Sequence, residues 1–146
     1  MKDIDIAVEL LHNDNLTLAI VKDGNVIFSS KDKGIKPLYT AITEYKVELE
    51  GSSVADRVTG RAAAMICVNG KVKHLKTGLI SENGIKVLKD TNIIYEYDKC
   101  TPFIENRDRS GMCPVETLSL KSENIEDLLS GITKFFESIK KVNLVQ

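Results

Sequence analysis

The chain has 146 residues, of which 42% are hydrophobic and 28% charged, and its formal net charge is -1. That balance fits one globular domain, residues 1–146, and excludes a disordered chain. The near-zero charge gives no global reason to expect nucleic acid or an anionic membrane as partner. No apolar run reaches bilayer length, and Met1–Asp5 does not read as a signal peptide, so a cytoplasmic location is expected. Cys67, Cys100 and Cys113 are widely spaced and odd in number, which reads as reduced thiols.

In chain order, residues 3–12 are predicted to form a helix capped by Asp3, with Ile4, Ala7, Val8 and Leu11 on one face. Leu16–Val21 and Asn25–Phe28 flank Lys22-Asp23-Gly24, which marks an antiparallel hairpin. After the polar stretch Lys31–Gly34, Pro37 suits the first turn of a helix that buries Leu38, Ala41, Ile42 and Tyr45 and ends near Lys46. A longer helix is predicted from the cap Ser53 to the stop at Asn69-Gly70, apolar nearly all round from Ala62 to Val68. Val72–Ile80 reads as a strand, Ser81–Lys89 as a helix capped by Ser81, and Ile93–Tyr97 as a strand. Asp98–Met112 reads as a charged loop. Cys113 then caps a short helix with Pro114 first and Glu116 third. A last helix, about Asn124–Lys140, carries the stripe Ile125, Leu128, Leu129, Ile132, Phe135, Phe136 and Ile139. Helices alternating with single strands imply right-handed crossovers, a partly parallel sheet and an α/β fold.

Two segments draw chemical interest. On the predicted helix from Ser53, helical spacing puts Ser53, Asp56, Arg57, Gly60 and Arg61 on one face. A glycine inside a helix costs about 1 kcal/mol against alanine, so Gly60 suggests a close approach to the backbone. Free N–H groups at a helix start, together with arginines, suit a phosphate or carboxylate. The structural alternative is a solvated polar face with Gly60 relieving tight packing. The second segment is Glu105–Cys113, dense in both signs. A thiol at a helix N-terminus becomes more nucleophilic, which makes Cys113 a candidate nucleophile or sulfur carrier; the alternative is a small buried residue that seats the loop. Cys67 reads as core, His74 as a structural strand residue and His12 as a helix-end cation.

Four stretches carry a family resemblance. They are Val21–Gly24, Gly34–Leu38, Gly51–Ala64 and Asn106–Glu116, of which the last two are long and specific. Over about residues 16–120 the chain resembles a prokaryotic domain-of-unknown-function family, number eighteen ninety-three; the terminal helix lies outside the match. The resemblance implies a cytidine-deaminase-like fold, a three-layer α/β/α sandwich with a mixed sheet, and a site at the helix N-termini. Zinc deaminases place a His or Cys followed by Glu two residues on at one helix start, and Pro-Cys-x-x-Cys at the next. Here those starts read Val58-Thr59-Gly60-Arg61-Ala62 and Ser81-Glu82-Asn83-Gly84, which offer no such ligands. A zinc deaminase is therefore not expected, nor any metal or cofactor.

Two functions follow from that pattern. The domain binds a small anionic or nucleotide-like ligand through Ser53, Asp56, Gly60, Arg61, Glu82, Asn106 and Arg107. Alternatively it is a metal-independent enzyme with Cys113 as nucleophile and Glu116 or Glu82 in proton transfer. The apolar stripe of the last helix packs on the sheet or pairs with a second copy of the chain.

Overall fold

Asp3 lies in the first helical turn, but its carboxylate reaches away from the helix it was expected to cap. In a computed structural model describing residues 1–145, α1 spans Asp3–Asn13, and Lys2 holds the cap position without a side-chain bond. The two Asp3 oxygens instead accept the Asp23 and Gly24 N–H groups, each at 2.9 Å. These residues turn the hairpin of β1 (Leu18–Lys22) and β2 (Asn25–Ser30), with φ of 52° and 79°. Both central residues at positive φ is the geometry that favours Asp-Gly. One carboxylate thus pins α1 to the hairpin.

The helix α2 (Lys36–Glu44) has Pro37 in its first turn, and a single turn, α3 (Lys46–Leu49), follows it. The next element corrects the sequence reading. Ser53–Thr59 is a strand, β3, and the helix α4 (Arg61–Asn69) begins only after Gly60, whose extended φ of -92° and ψ of -169° make it the cap. β3 is central: it pairs antiparallel with β1 and parallel with β4 (His74–Ser81). Val54, Val58 and Thr59 are β-branched and favour a pleated backbone. The predicted helix face of Ser53, Asp56, Arg57, Gly60 and Arg61 therefore does not exist. Gly60 bears no helix-interior cost, and the expected burial of Ala62–Cys67 in α4 holds.

Ser81 caps α5 (Glu82–Leu88) as expected, its Oγ accepting from the Gly84 N–H at 3.0 Å. β5 spans Ile94–Thr101, so the charged segment is strand for its first residues and becomes loop only after Thr101. α6 is Pro114–Leu120, with Cys113 at its cap, and α7 is Ile125–Val145. The strand order is β2-β1-β3-β4-β5, with β3, β4 and β5 parallel. α1 covers one face of the sheet over β1 and β3, and α2, α4, α5, α6 and α7 pack together on the other. The result is a three-layer α/β sandwich with a mixed sheet. Among the described residues, no helix is long and apolar enough to cross a membrane.

The apolar stripe of α7 is buried for only part of its length. Leu128 and Ile132 are fully buried, and Phe136 meets Tyr39 edge-on at 5.3 Å between ring centres. The Tyr39 and Thr133 hydroxyls are 2.7 Å apart, which fixes α7 against α2. Ile139 was expected to belong to the buried stripe, but it is 43% exposed. Leu128→Ala should therefore cost about 2–5 kcal/mol, and Ile139→Ala less than about 1 kcal/mol. Urea denaturation of the two variants checks the difference.

Candidate functional site

The carboxyl ends of the three parallel strands converge on one side chain. Glu116 is the third residue of α6 and is 2% exposed. Its Oε1 accepts the Arg61 backbone N–H at 2.8 Å, at the start of α4, and the Ser81 hydroxyl at 3.3 Å, at the end of β4. Its Oε2 accepts the Ile104 N–H at 2.6 Å, just after β5. Hydrogen bonds to a charged acceptor contribute about 1.5–3 kcal/mol each, enough to offset the several kcal/mol that burying a carboxylate costs. The Ser81 hydroxyl accepts from Gly84 and donates to Glu116, so its single proton is used once.

Two glycines make room for this junction. A Cβ on Gly60 would lie 3.0 Å from Ile104 Cγ1 and 3.1 Å from Glu116 Oε1, and one on Gly84 would lie 3.2 Å from the Gly60 carbonyl oxygen. The close approach expected at Gly60 is thus to the protein's own carboxylate and its neighbours.

Arg61 returns the interaction. Its Nη1 donates to the Ser119 carbonyl and lies 3.4 Å from the Ser122 carbonyl and 3.3 Å from Met65 Sδ. α6 therefore supplies an anion to the start of α4, and α4 supplies a cation to the end of α6. Each charge sits at the helix end whose dipole favours it.

The loop between β5 and α6 is held mostly by its own bonds. The Cys113 N–H donates to the Ile104 carbonyl at 2.8 Å, and Glu105 and Met112 form an antiparallel bridge. Asn106 Oδ1 accepts from the Ser110 N–H at 2.9 Å and the Gly111 N–H at 3.3 Å. Asp108 accepts from the Ser110 N–H and hydroxyl, and these bonds hold its carboxyl below the usual carboxylate range. The tip exposes Arg107 and Arg109, and neither makes an ion pair among the described residues.

The other expected site residues are dispersed. Asp56 is buried in mid-β3 on the α4 side. Its Oδ1 accepts the Arg57 N–H at 2.9 Å, its Oδ2 is 3.2 Å from Thr59 Oγ1, and burial pushes it up to about 7. Arg57 turns to the opposite face, where it donates to the Leu11 and Leu16 carbonyls. Ser53 is buried at the amino end of β3, roughly 20 Å from Thr59 at strand rise. Glu82 is exposed at the start of α5. Cys113 is half-buried and its side chain makes no capping bond, whereas Cys67 is buried and Cys100 exposed. Among the described residues there is no group of three His, Cys, Asp or Glu arranged to hold a metal ion. The residues at the starts of α4 and α5 do not fit the zinc set of a deaminase, and Glu116 takes up the donors there. A groove of about 310 Å³ lies elsewhere, between α1 and the open face of β4 and β5; Ile4, Val8, Lys76 and Glu96 are among its walls.

Residues 6–136 match the TM1506 family, a domain of unknown function (DUF1893), and the chain belongs to that family. It is similar to the DUF1893 family protein of known structure from Thermotoga maritima. The two are 30% identical, with a TM-score of 0.82 over 92% of this chain and 90% of that one. RibD of Acinetobacter baumannii is similar at 18% identity and a TM-score of 0.46, over 86% of this chain and 39% of that one. No curated protein matches.

Sequence reading missed the exchange between Arg61 and Glu116. Its one local signal was a glutamate at the third position of a proline-led helix, which the sequence reading assigned to proton transfer. Glu116→Ala leaves three buried or half-buried donors without an acceptor and should cost on the order of 3 kcal/mol. Arg61→Ala keeps the backbone N–H that Glu116 accepts and loses only the guanidinium contacts to α6, so it should cost less than Glu116→Ala in equilibrium denaturation.

Proposed function

We propose that the domain is a zinc-independent binding module for a small anionic or nucleotide-like ligand, working in the cytoplasm. The ligand sits over the carboxyl ends of β3, β4 and β5. The observation that supports this reading is the loop tip: Arg107 and Arg109 are exposed and, among the described residues, free of carboxylate partners, on a turn whose own polar groups are largely satisfied. The planar guanidinium fork matches the oxygens of a phosphate or carboxylate, and the turn that carries it is already held by its own bonds. Glu82, exposed at the neighbouring start of α5, gives the mouth an acceptor for ligand hydroxyl or amino groups. Asp56, Gly60 and Arg61 serve the frame beneath, and Asn106 shapes the tip.

A thermal-shift screen against nucleosides, nucleotides and phosphorylated metabolites tests the reading, because a ligand bound by the folded state raises the midpoint. The expected result is a shift that survives EDTA and is lost in Arg107→Ala/Arg109→Ala, a variant that keeps the wild-type midpoint without ligand. A panel that leaves the wild-type midpoint unmoved overturns it.

The second reading, Cys113 as a nucleophile, is favoured by one observation: the thiol is half-buried at a helix start and makes no capping bond. It predicts that limiting iodoacetamide alkylates Cys113 ahead of the more exposed Cys100. Labelling in order of exposure alone, with Cys100 first, ends that reading.

A further inference from the structure

Beneath the strand ends runs a chain of buried polar groups that neither reading uses. Asp56 Oδ2 is 3.2 Å from Thr59 Oγ1, Thr59 Oγ1 is 2.9 Å from Thr77 Oγ1, and Thr77 Oγ1 is 3.2 Å from the Leu79 carbonyl oxygen. Asp56, Thr59 and Thr77 are all buried. Each threonine hydroxyl has a single proton, so the protonation state of Asp56 decides the direction of the chain. A neutral Asp56 donates to Thr59, Thr59 to Thr77 and Thr77 to the Leu79 carbonyl, and every contact carries a proton. An ionised Asp56 takes the Thr59 proton, and Thr77 must then choose between Thr59 and Leu79. One of the three contacts is left without a proton.

We propose that the Asp56–Thr59–Thr77 chain is a proton-linked switch in the β3–β4 seam, complete when Asp56 is neutral and broken at one contact when Asp56 releases its proton to solvent. Thr59 immediately precedes Gly60, the cap of α4, whose first N–H donates to Glu116, so the switch adjoins the junction of the three strand ends.

The surroundings of Asp56 suit this role. Leu18 and Thr77 are its register partners on β1 and β4. The titratable group bearing on it from α4 is Cys67, whose thiol is pushed up by its own burial first and by the Asp56 charge second. The Arg57 guanidinium is spent on the α1 face, and Lys76 pairs with Glu96 and Asp98. The backbone N–H groups of Arg57 and Val58 favour the ionised form, but burial outweighs them and lifts the carboxyl from 3.8 to about 7.

Between those two values the folded state binds a proton that the unfolded state has released. Stability from this source is therefore fully present below 3.8, falls as pH rises, and levels off above about 7. The folded-to-unfolded ratio should drop about tenfold per pH unit within that window, relative to a variant lacking the group. Urea denaturation of wild type and Asp56→Asn from pH 4.5 to 8.5 provides the measurement. Asparagine can donate to Thr59 at every pH, so the variant curve should lack the fall. Parallel curves overturn the proposal. Carbon-13 NMR of the wild-type carboxyl groups tests it without a variant. An Asp56 resonance that titrates near neutrality supports the switch, and one already ionised at pH 5 overturns it.

Discussion

The placement of one buried carboxylate governs the architecture of this domain. Three parallel strands end at one edge, and each hands the chain to a helix or loop whose backbone donors need acceptors. Glu116 meets those needs at once: Arg61 N–H after β3, Ser81 hydroxyl at the end of β4, Ile104 N–H after β5. An apolar side chain here would leave three donors unmatched, and a lysine would add three more. A shorter carboxylate carried on α6 would reach less far across the junction. Geometry of this kind demands a close approach, which is why glycines stand at positions 60 and 84.

The junction also determines what remains available above it. α4 spends its first N–H on Glu116, and the Arg61 guanidinium is spent on the end of α6. The first N–H of α4, where the sequence suggested an anion site, is thereby taken up from inside. Any recognition at this edge must come from the exposed layer, which the loop Ile104–Cys113 supplies. That loop is anchored at both ends by the same junction, through the Ile104 N–H to Glu116 and the Cys113 N–H to the Ile104 carbonyl. Its arginines are presented from a fixed base, and its own Asn106 and Asp108 are occupied with Ser110 and Gly111.

Local chemistry was legible in the sequence where the cause was local. Asp23-Gly24 marked the hairpin, Ser81 marked a helix start, and Cys113-Pro114 marked the opening of α6. The apolar run of α4 announced a buried helix. Ser53–Thr59 misled because Ser53 and Asp56 mimic a helix cap with its third-position acid, and because Val54, Val58 and Ala62 are spaced as a helix face would be. What makes that segment a strand is its place between β1 and β4, and a central strand is chosen by its neighbours more than by its own residues. The site was less legible still. Glu116 finds its partners 55, 35 and 12 residues away, and no short window of sequence contains such a bond.

Correcting β3 from helix to strand also changes what its polar residues mean. On a helix face, Asp56 and Arg57 would have been neighbours able to share a ligand or pair with one another. On a strand, successive side chains point to opposite faces, and the sheet itself separates the two charges. Arg57 goes to α1, where the Leu11 and Leu16 carbonyls accept it, while Asp56 goes under α4 with two threonines and Cys67. A cation that could have stabilised the carboxylate is thus the adjacent residue in sequence and still directed away from it. The backbone pleat keeps the pair apart and leaves Asp56 Oδ2 to the Thr59 hydroxyl, with only backbone N–H groups on the other side. A carboxyl dependent on hydroxyls can be satisfied in two directions, whereas one facing an arginine is satisfied in only one. The strand assignment that removed Asp56 from an expected ligand face is therefore the same fact that leaves it free to respond to pH.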